Sequence, residues 1–90
     1  MLFEWDPRKA AANRVKHRVS FDEAVTAFAD PMQVTEFDSK HSREEDRFVL
    51  LGRTRAGRLV VVVHTLRAST VRLISARLAR HRERRIHEGP

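Results

Sequence analysis

The sequence predicts an α+β fold in which two N-terminal helices pack on a small, mostly antiparallel sheet and a basic helix ends the chain. Three observations support this. Two helix-start signals lie in the first quarter of the chain, four strand-like apolar runs separated by polar turns follow from residue 32 onward, and the last segment is rich in arginine. At 90 residues we expect one domain spanning residues 1–90.

The N-terminal third predicts a strand and two helices. Residues 2–6 alternate between polar and apolar types, as in a short strand. Asp6 and Pro7 are typical of the N-cap and first position of a helix, and Ser20 and Glu23 have the spacing of a capping box. The second helix carries an apolar stripe at helical spacing, formed by Phe21, Ala24, Val25 and Phe28.

The remaining segments predict four strands and a closing helix. Arg55-Ala56-Gly57 indicates a hairpin turn between two of the strands. The run after this turn is almost continuously apolar, as in a central strand covered on both faces. The predicted strands cover residues 32–37, 47–54, 58–65 and 70–76, and the basic C-terminal helix covers residues 77–88.

Charge is distributed unevenly along the chain. Residues 1–50 contain 8 Lys/Arg and 10 Asp/Glu, whereas residues 51–90 contain 10 Arg and 2 Glu, so the net charges of −2 and +8 sum to the formal +6. An all-arginine basic half favours bidentate contact with phosphate or carboxylate. The sequence contains no cysteine and no long apolar run, so thiolate chemistry is excluded, and we expect no metal, cofactor or membrane segment and a cytoplasmic location.

Three arginines near the last strand are candidate anion-binding residues. Arg67 precedes the final turn, and Arg72 and Arg77 lie in the strand that follows it. Strict alternation places Arg72 and Arg77 on opposite faces of the sheet, unless the chain bends. The alternative interpretation is structural, with each guanidinium paired to a carboxylate from the acidic half.

Five histidines are present, and none forms an i, i+4 pair typical of a helical zinc site. His17 and His41 lie at predicted element ends beside charged neighbours, where proton transfer is feasible. A structural or solvent-facing role is the alternative for both. His64 lies inside an apolar strand, which indicates a packed side chain. The chain also lacks a glycine-rich phosphate loop.

Several separated motifs resemble the BrnT family, the toxin half of type II toxin–antitoxin pairs. They are "FEWDP" at the start, a stretch from Asn13 to Ala24 containing "KH" and "VSF", "DP" at Asp30-Pro31, and "ISAR" at residues 74–77. Arg18 stands where the family usually has glycine, and the chain contains no tyrosine.

The resemblance implies a RelE-like fold, metal-independent RNA cleavage by 2′-hydroxyl attack, and inhibition of translation. It also implies neutralisation by a BrnA-type antitoxin in a hetero-oligomer that binds DNA. Taking residues and resemblance together, we predict that Arg67 and Arg77 hold the scissile phosphate. We predict that His17, His41, Glu45 or Glu83 handles protons, with orientation of an arginine as a second role for Glu83, and that Arg72, Arg80 and Arg53 bind RNA.

Two alternatives to this function remain open. The chain could be a non-catalytic nucleic-acid-binding module whose arginines only hold phosphates. Its basic half could also serve as the docking surface for an acidic segment of the antitoxin, a role that is compatible with either function.

Overall fold

The computed structural model describes residues 1–89, which form five strands and three helices. The helices and strands are β1 (Leu2–Glu4), α1 (Pro7–His17), α2 (Phe21–Thr26), β2 (Val34–Phe37), β3 (Arg47–Arg53), β4 (Leu59–Arg67), β5 (Thr70–Leu78) and α3 (His81–Glu88). Short 3₁₀ turns cover Ala27–Ala29 and Ser39–His41. The predicted α+β class is confirmed.

All five strands join in a single sheet with the order β1-β5-β4-β3-β2. The three pairings among β2, β3, β4 and β5 are antiparallel, while β1 adds to the outer edge of β5 in parallel. Short hairpin turns join β3 to β4 at Arg55–Gly57 and β4 to β5 at Ala68-Ser69, whereas a longer loop that contains a 3₁₀ turn joins β2 to β3. Only β1 reaches its place through a crossover.

Side-chain caps start the two N-terminal helices. Asp6 Oδ1 accepts a hydrogen bond from Arg8 N at 2.8 Å, and Ser20 Oγ accepts one from Glu23 N at 3.0 Å. The two helices differ in length. α1 has 11 residues, whereas α2 has only 6 and continues as a 3₁₀ turn before Asp30. The prediction of two helices on a small sheet is therefore only partly right, and the RelE-like assignment stays a prediction.

The sheet buries apolar side chains on both faces. The main core lies between the sheet and the α1/α2 layer, and a smaller cluster lies on the other face, the one that α3 crosses. The smaller cluster contains Leu51, Leu59 and Val61. The main core contains Val19, Phe21, Ala24, Ala27, Leu50, Val60, Val62, Val71, Leu73 and Ala76. No helix in residues 1–89 is long and apolar enough to cross a membrane.

Gly52 allows the 3₁₀ turn after α2 to approach β3 closely. A Cβ atom at this position would lie 2.9 Å from the carbonyl oxygen of Ala27 and 3.2 Å from Cβ of Gln33. Both neighbours belong to the segment that follows α2. Only glycine therefore fits here without moving the backbone.

The C-terminal helix starts later than the predicted residue 77. Arg77 pairs with Val61 and Leu78 with Val60, so both residues extend β5, and α3 begins at His81. Cross-strand pairing with a buried strand outweighs the local helix preference of an arginine-rich segment. The predicted span 77–88 is wrong at its start.

Candidate active site

A β-bulge in β5 determines where its arginines point. Val63 pairs with Ser75 and His64 with Leu73, so Ile74 is the extra residue. Alternation of side chains restarts after the bulge. Arg72 and Arg77 therefore lie on the same face of the sheet, contrary to the simple alternation used in the sequence prediction. We call this surface, the one that α3 crosses, the α3 face.

Arg77 is held by the first turn of α3. Its two terminal nitrogens donate to the two carboxylate oxygens of Glu83 at 2.8 and 2.7 Å, and Glu83 also accepts the backbone N–H of Arg80 at 2.7 Å. These hydrogen bonds from Arg77 hold the pKa of Glu83 below its usual range and raise the pKa of Arg77. The pair is about one-quarter exposed, so Arg77 is oriented and can still be reached by a ligand.

The far end of α3 is fastened to the body of the protein. His87 Nε2 lies 2.7 Å from Asp30 Oδ2 in a buried pair, and Arg53 Nη2 donates to Glu88 at 2.9 Å. Burial tends to raise the pKa of Asp30, but the hydrogen bonds from Arg53 N, Met32 N and His87 outweigh it and lower that pKa. Arg53, a predicted RNA-binding residue, is thus engaged in holding α3.

A row of polar side chains (the polar row) crosses the α3 face away from α3, toward the β4–β5 turn. The register aligns Arg47, Thr65, Arg72 and Glu4 side by side on β3, β4, β5 and β1. Arg72 Nη1 donates to Glu4 Oε2 at 2.9 Å. Arg47 and Arg72 are separated by one strand, so their Cα atoms are roughly 10 Å apart, at two strand spacings. This spacing lets two guanidinium groups converge on one ligand.

Arg47 also lines a cleft of about 680 Å³ in the loop between β2 and β3. His41 and Glu45 line the same cleft, so two predicted proton-handling residues come together here. Glu45 Oε1 lies 3.8 Å from Arg47 Nε, an ion-pair distance too long for a hydrogen bond. The remaining lining residues are Lys40, Arg43 and Glu44.

His41 is oriented by a carboxylate. Its Nδ1 lies 2.8 Å from Asp38 Oδ2, and its side chain is 67% exposed. The hydrogen bond from His41 lowers the pKa of Asp38, so this carboxylate is ionised at neutral pH and accepts the Nδ1 proton. Nε2 is then the nitrogen free to accept a proton from a ligand. The loop itself is closed by Ser42, whose Oγ accepts from Arg47 N at 2.9 Å.

The predicted cluster of three arginines is divided in the structure. Arg72 pairs with Thr65, two positions from Arg67 on β4, so Arg67 and Arg72 lie near each other on the α3 face, and Arg77 lies apart from Arg67. Arg67 pairs with Thr70 at one end of the β4–β5 hairpin, whereas Arg77 pairs with Val61 six residues away along β4. At about 3.4 Å per residue, roughly 20 Å separates these positions. Arg67 is exposed at its end of the hairpin. Arg67 and Arg77 therefore cannot hold the same phosphate in this structure.

The other predicted residues lie apart from the cleft. His17 is half-buried at the end of α1, on the opposite side of the sheet from the α3 face. Arg80 is exposed at the N-cap of α3. His64 packs in the interior between Phe28 and Phe48, and burial lowers its pKa, so its predicted structural role is confirmed.

Two residues of the candidate site, Arg47 and Asp38, were not predicted from the sequence. A signal for Asp38 was present, because an aspartate and a histidine three residues apart in a polar loop are a local hydrogen-bonding pair. No comparable signal marked Arg47, since its position depends on the pairing of β3 with β4. Within residues 1–89, no group of three or more His, Asp and Glu side chains is arranged to hold a metal ion.

Comparison with protein-family models identifies one family. A family model described as the ribonuclease toxin BrnT of type II toxin–antitoxin systems matches residues 5–83. The crystal structure of the Brucella abortus ribonuclease toxin BrnT superposes with a TM-score of 0.65 at 18% identity, covering 90% of this chain and 100% of that chain. At this identity the superposition shows a common fold. No curated protein sequence matches the chain.

Proposed function

The chain belongs to the BrnT family of ribonuclease toxins, and on this premise we propose a metal-independent endoribonuclease of RelE-like fold that inhibits translation in the cytoplasm. A BrnA-type antitoxin neutralises it, and the complex of the two binds DNA. The observation that carries the catalytic proposal is the cleft beside the polar row. There the carboxylate-oriented His41 shares a surface with Arg47, and Arg72 follows in the same row.

RNA supplies its own nucleophile in this reaction. The 2′-oxygen forms a bond to phosphorus, and the bond from phosphorus to the 5′-oxygen of the next nucleotide breaks. The products are a 2′,3′-cyclic phosphate and a 5′-hydroxyl. His41 Nε2 accepts the proton of the 2′-hydroxyl, and water protonates the leaving oxygen. General base catalysis of this kind contributes about 10²- to 10⁴-fold to the rate.

The guanidinium groups stabilise the charge that develops on the phosphate. Arg47 and Arg72 hold the scissile phosphate, since they lie on either side of Thr65 in the polar row, a spacing from which both guanidinium groups can reach one phosphate. Glu45 positions Arg47, as Glu4 positions Arg72. Arg77 holds a phosphate further along the strand and is positioned by Glu83, whose lowered pKa makes it a poor proton donor. Arg80, exposed beside it, contacts the same part of the RNA.

Cleavage of labelled RNA by the purified protein in excess chelator tests the proposal. We expect products with cyclic phosphate ends. His41→Gln should lower the cleavage rate about 10²-fold or more. The matched control is His81→Gln, an exposed histidine at the start of α3, which should cleave like the wild type. Loss of cleavage in His17→Gln with full activity in His41→Gln would assign the base to α1 instead.

The arginine assignment is tested in the same assay. Arg47→Ala should lower the rate about 10- to 10³-fold, whereas Arg55→Ala, an exposed arginine in the β3–β4 turn, should not. Arg67→Ala should lower the rate less than Arg47→Ala, because Arg67 lies on the same face as Arg72 but beyond the polar row, exposed at the end of the hairpin. RNA that is bound and left intact by the wild type would support the alternative, a non-catalytic nucleic-acid-binding module.

A further inference from the structure

The outer surface of α1 carries positive charge that the proposed chemistry does not use. Residues 7–18 contain no Asp or Glu, and the cations Arg8, Lys9, Arg14, Lys16 and Arg18 are all exposed. Within residues 1–89, none of these five side chains forms an ion pair. We call this set the α1 basic surface.

Part of this surface is unfavourable for the helix itself. Arg8 and Lys9 lie in the first turn of α1, where the helix dipole disfavours positive charge, and the N-cap Asp6 supplies one carboxylate against these two cations. Such placements cost a few tenths of a kcal/mol each. Helix stability therefore does not account for them.

The C-terminal end of α1 opens into a basic cleft of about 380 Å³ lined by Arg14, Arg18, Ser20, Glu23 and Arg58. Its single carboxylate is already engaged. Arg58 Nε donates to Glu23 Oε2 at 2.9 Å and Thr54 Oγ1 donates to the same oxygen at 2.8 Å, and Arg58 also contacts Oε1. The hydrogen bond from Arg58 lowers the pKa of Glu23. Arg14 and Arg18 therefore present uncompensated charge to an incoming anion.

The composition of the surface favours nucleic acid over protein as its partner. The apolar side chains between the cations are small, namely Ala11, Ala12 and Val15, and none is an aromatic or leucine anchor of the kind that protein partners use. Cores of protein–protein interfaces are depleted in charged residues, whereas phosphate contacts by Lys and Arg dominate nucleic-acid binding. Arg8 and Arg18 are roughly 15 Å apart along the helix axis, long enough to follow a strand over more than one phosphate.

We propose that the α1 basic surface binds the phosphate backbone of single-stranded RNA outside the cleaved bond. This inference rests on the proposed function, in that the bound strand is the substrate. α1 packs on β5, and Arg72 and Arg77 lie on the opposite face of that same strand. A strand of RNA that passes around this edge of the sheet reaches both surfaces. The α1 basic surface supplies affinity and takes no part in bond breaking.

Binding of a 2′-O-methyl oligouridine, which lacks the nucleophile and cannot be cleaved, tests the inference separately from catalysis. The variant is Arg14→Gln/Arg18→Gln, two exposed arginines that line the basic cleft, and the matched control is Arg82→Gln/Arg85→Gln, two exposed arginines of α3 that change the net charge equally. The α1 variant should bind about tenfold more weakly in 0.1 M salt, and its log–log salt slope should be shallower by about 1.4, at roughly 0.7 per lost phosphate contact. The control should change affinity less than about twofold.

A cleavable RNA gives the second readout. The α1 variant should raise KM and leave kcat unchanged, with an unaltered thermal unfolding midpoint showing that it is folded. Equal loss of RNA affinity in the α1 variant and in the control would indicate a general charge effect and overturn the inference. Binding of poly-glutamate is measured as well. If the α1 variant binds poly-glutamate more weakly but RNA as well as the wild type does, the surface binds an acidic protein and the inference is also overturned. If the wild type cleaves no RNA but its oligouridine binding depends on α1, the proposed nuclease fails and the binding surface stands.

Discussion

The two faces of the sheet use positive charge in opposite ways. On the α3 face Arg72 is paired with Glu4, Arg77 with Glu83 and Arg53 with Glu88. On the other side the five cations of the α1 basic surface have no carboxylate partner within residues 1–89. Three arginines of the α3 face are thus oriented by carboxylates, whereas the five cations of α1 are left available.

The difference teaches how a small protein can separate positioning from attraction. A partly exposed ion pair stabilises the fold by about 0 to 1 kcal/mol, so stability alone is a weak reason for three of them on one surface. Pairing instead holds a guanidinium in one geometry, which chemistry at a phosphate needs. Unpaired cations lack a fixed geometry, but their field draws in a polyanion and raises the association rate.

Removing the Asn13 clamp, the set of hydrogen bonds that ties α1 to the backbone of β5, should have the largest effect on stability. Asn13 on α1 donates to Ala76 O at 2.8 Å and Val19 O at 3.0 Å and accepts from Ala76 N at 3.0 Å, all buried. Asn13→Ala leaves these backbone groups unsatisfied and should lower the free energy of unfolding by about 3 kcal/mol or more in a urea titration. Val15→Ala, exposed on the same helix, should change it by less than about 0.5 kcal/mol.

That clamp also bears on the site, because Ala76 adjoins Arg77. β1 covers the edge of β5 only from Thr70 to Arg72, and beyond the bulge the side-chain amide of Asn13 pairs with Ala76 as a neighbouring strand would. An Asn13→Ala protein as stable as the wild type would contradict this role.

Freeing a paired arginine should make the α3 face resemble the α1 side. In Glu83→Gln the carboxylate that orients Arg77 is lost, so RNA cleavage should fall about tenfold while affinity for 2′-O-methyl RNA rises about two- to fivefold. Asp22→Asn, an exposed change on α2 with the same gain in net charge, is the control and should leave cleavage intact. Cleavage unchanged in Glu83→Gln would show that the pairing has no part in positioning.

Acid should destabilise the fold, because it protonates carboxylates that are paired on both faces of the sheet. The pKa values of Glu23, Asp30 and Glu83 are all lowered in the folded protein, so their contribution to stability is complete above their ordinary values and is lost as pH falls through the folded ones. The free energy of unfolding, measured by urea titration, should therefore decline below about pH 4.5. Glu23→Gln should show a shallower decline, and an identical pH profile would argue against the Arg58 pairing.

The smallest effect concerns the β4–β5 turn, which belongs to neither face. Ala68 adopts a positive φ of 54°, a conformation that costs a non-glycine residue about 1 kcal/mol. Ala68→Gly should raise the unfolding free energy by up to about 1 kcal/mol with cleavage unchanged, giving a stabilised background for the other variants. A loss of stability would show that the added chain entropy of glycine outweighs the relief of strain.

Local features of the chain were predictable because their physics is local. The caps of α1 and α2 involve residues two or three positions apart, and the β3–β4 turn needs Gly57 at a φ of 87°. The apolar run in β4 marked a central strand because that strand is covered on both faces. Side chains whose neighbours come from distant parts of the sequence could not be placed in this way. Arg67 and Arg77 were therefore predicted to lie together, although the β4–β5 hairpin holds them at different ends.

The sequence by itself determined the order of the elements, the two helix starts, the packed role of His64 and the excess of arginine in the second half of the chain. Only the tertiary structure decided which faces those arginines occupy. One extra residue at Ile74 reverses the alternation of β5, and the register brings Arg47, Thr65 and Arg72 into one row from three strands. Such pairings depend on contacts between distant segments, for which neighbouring residues in the sequence carry no signal.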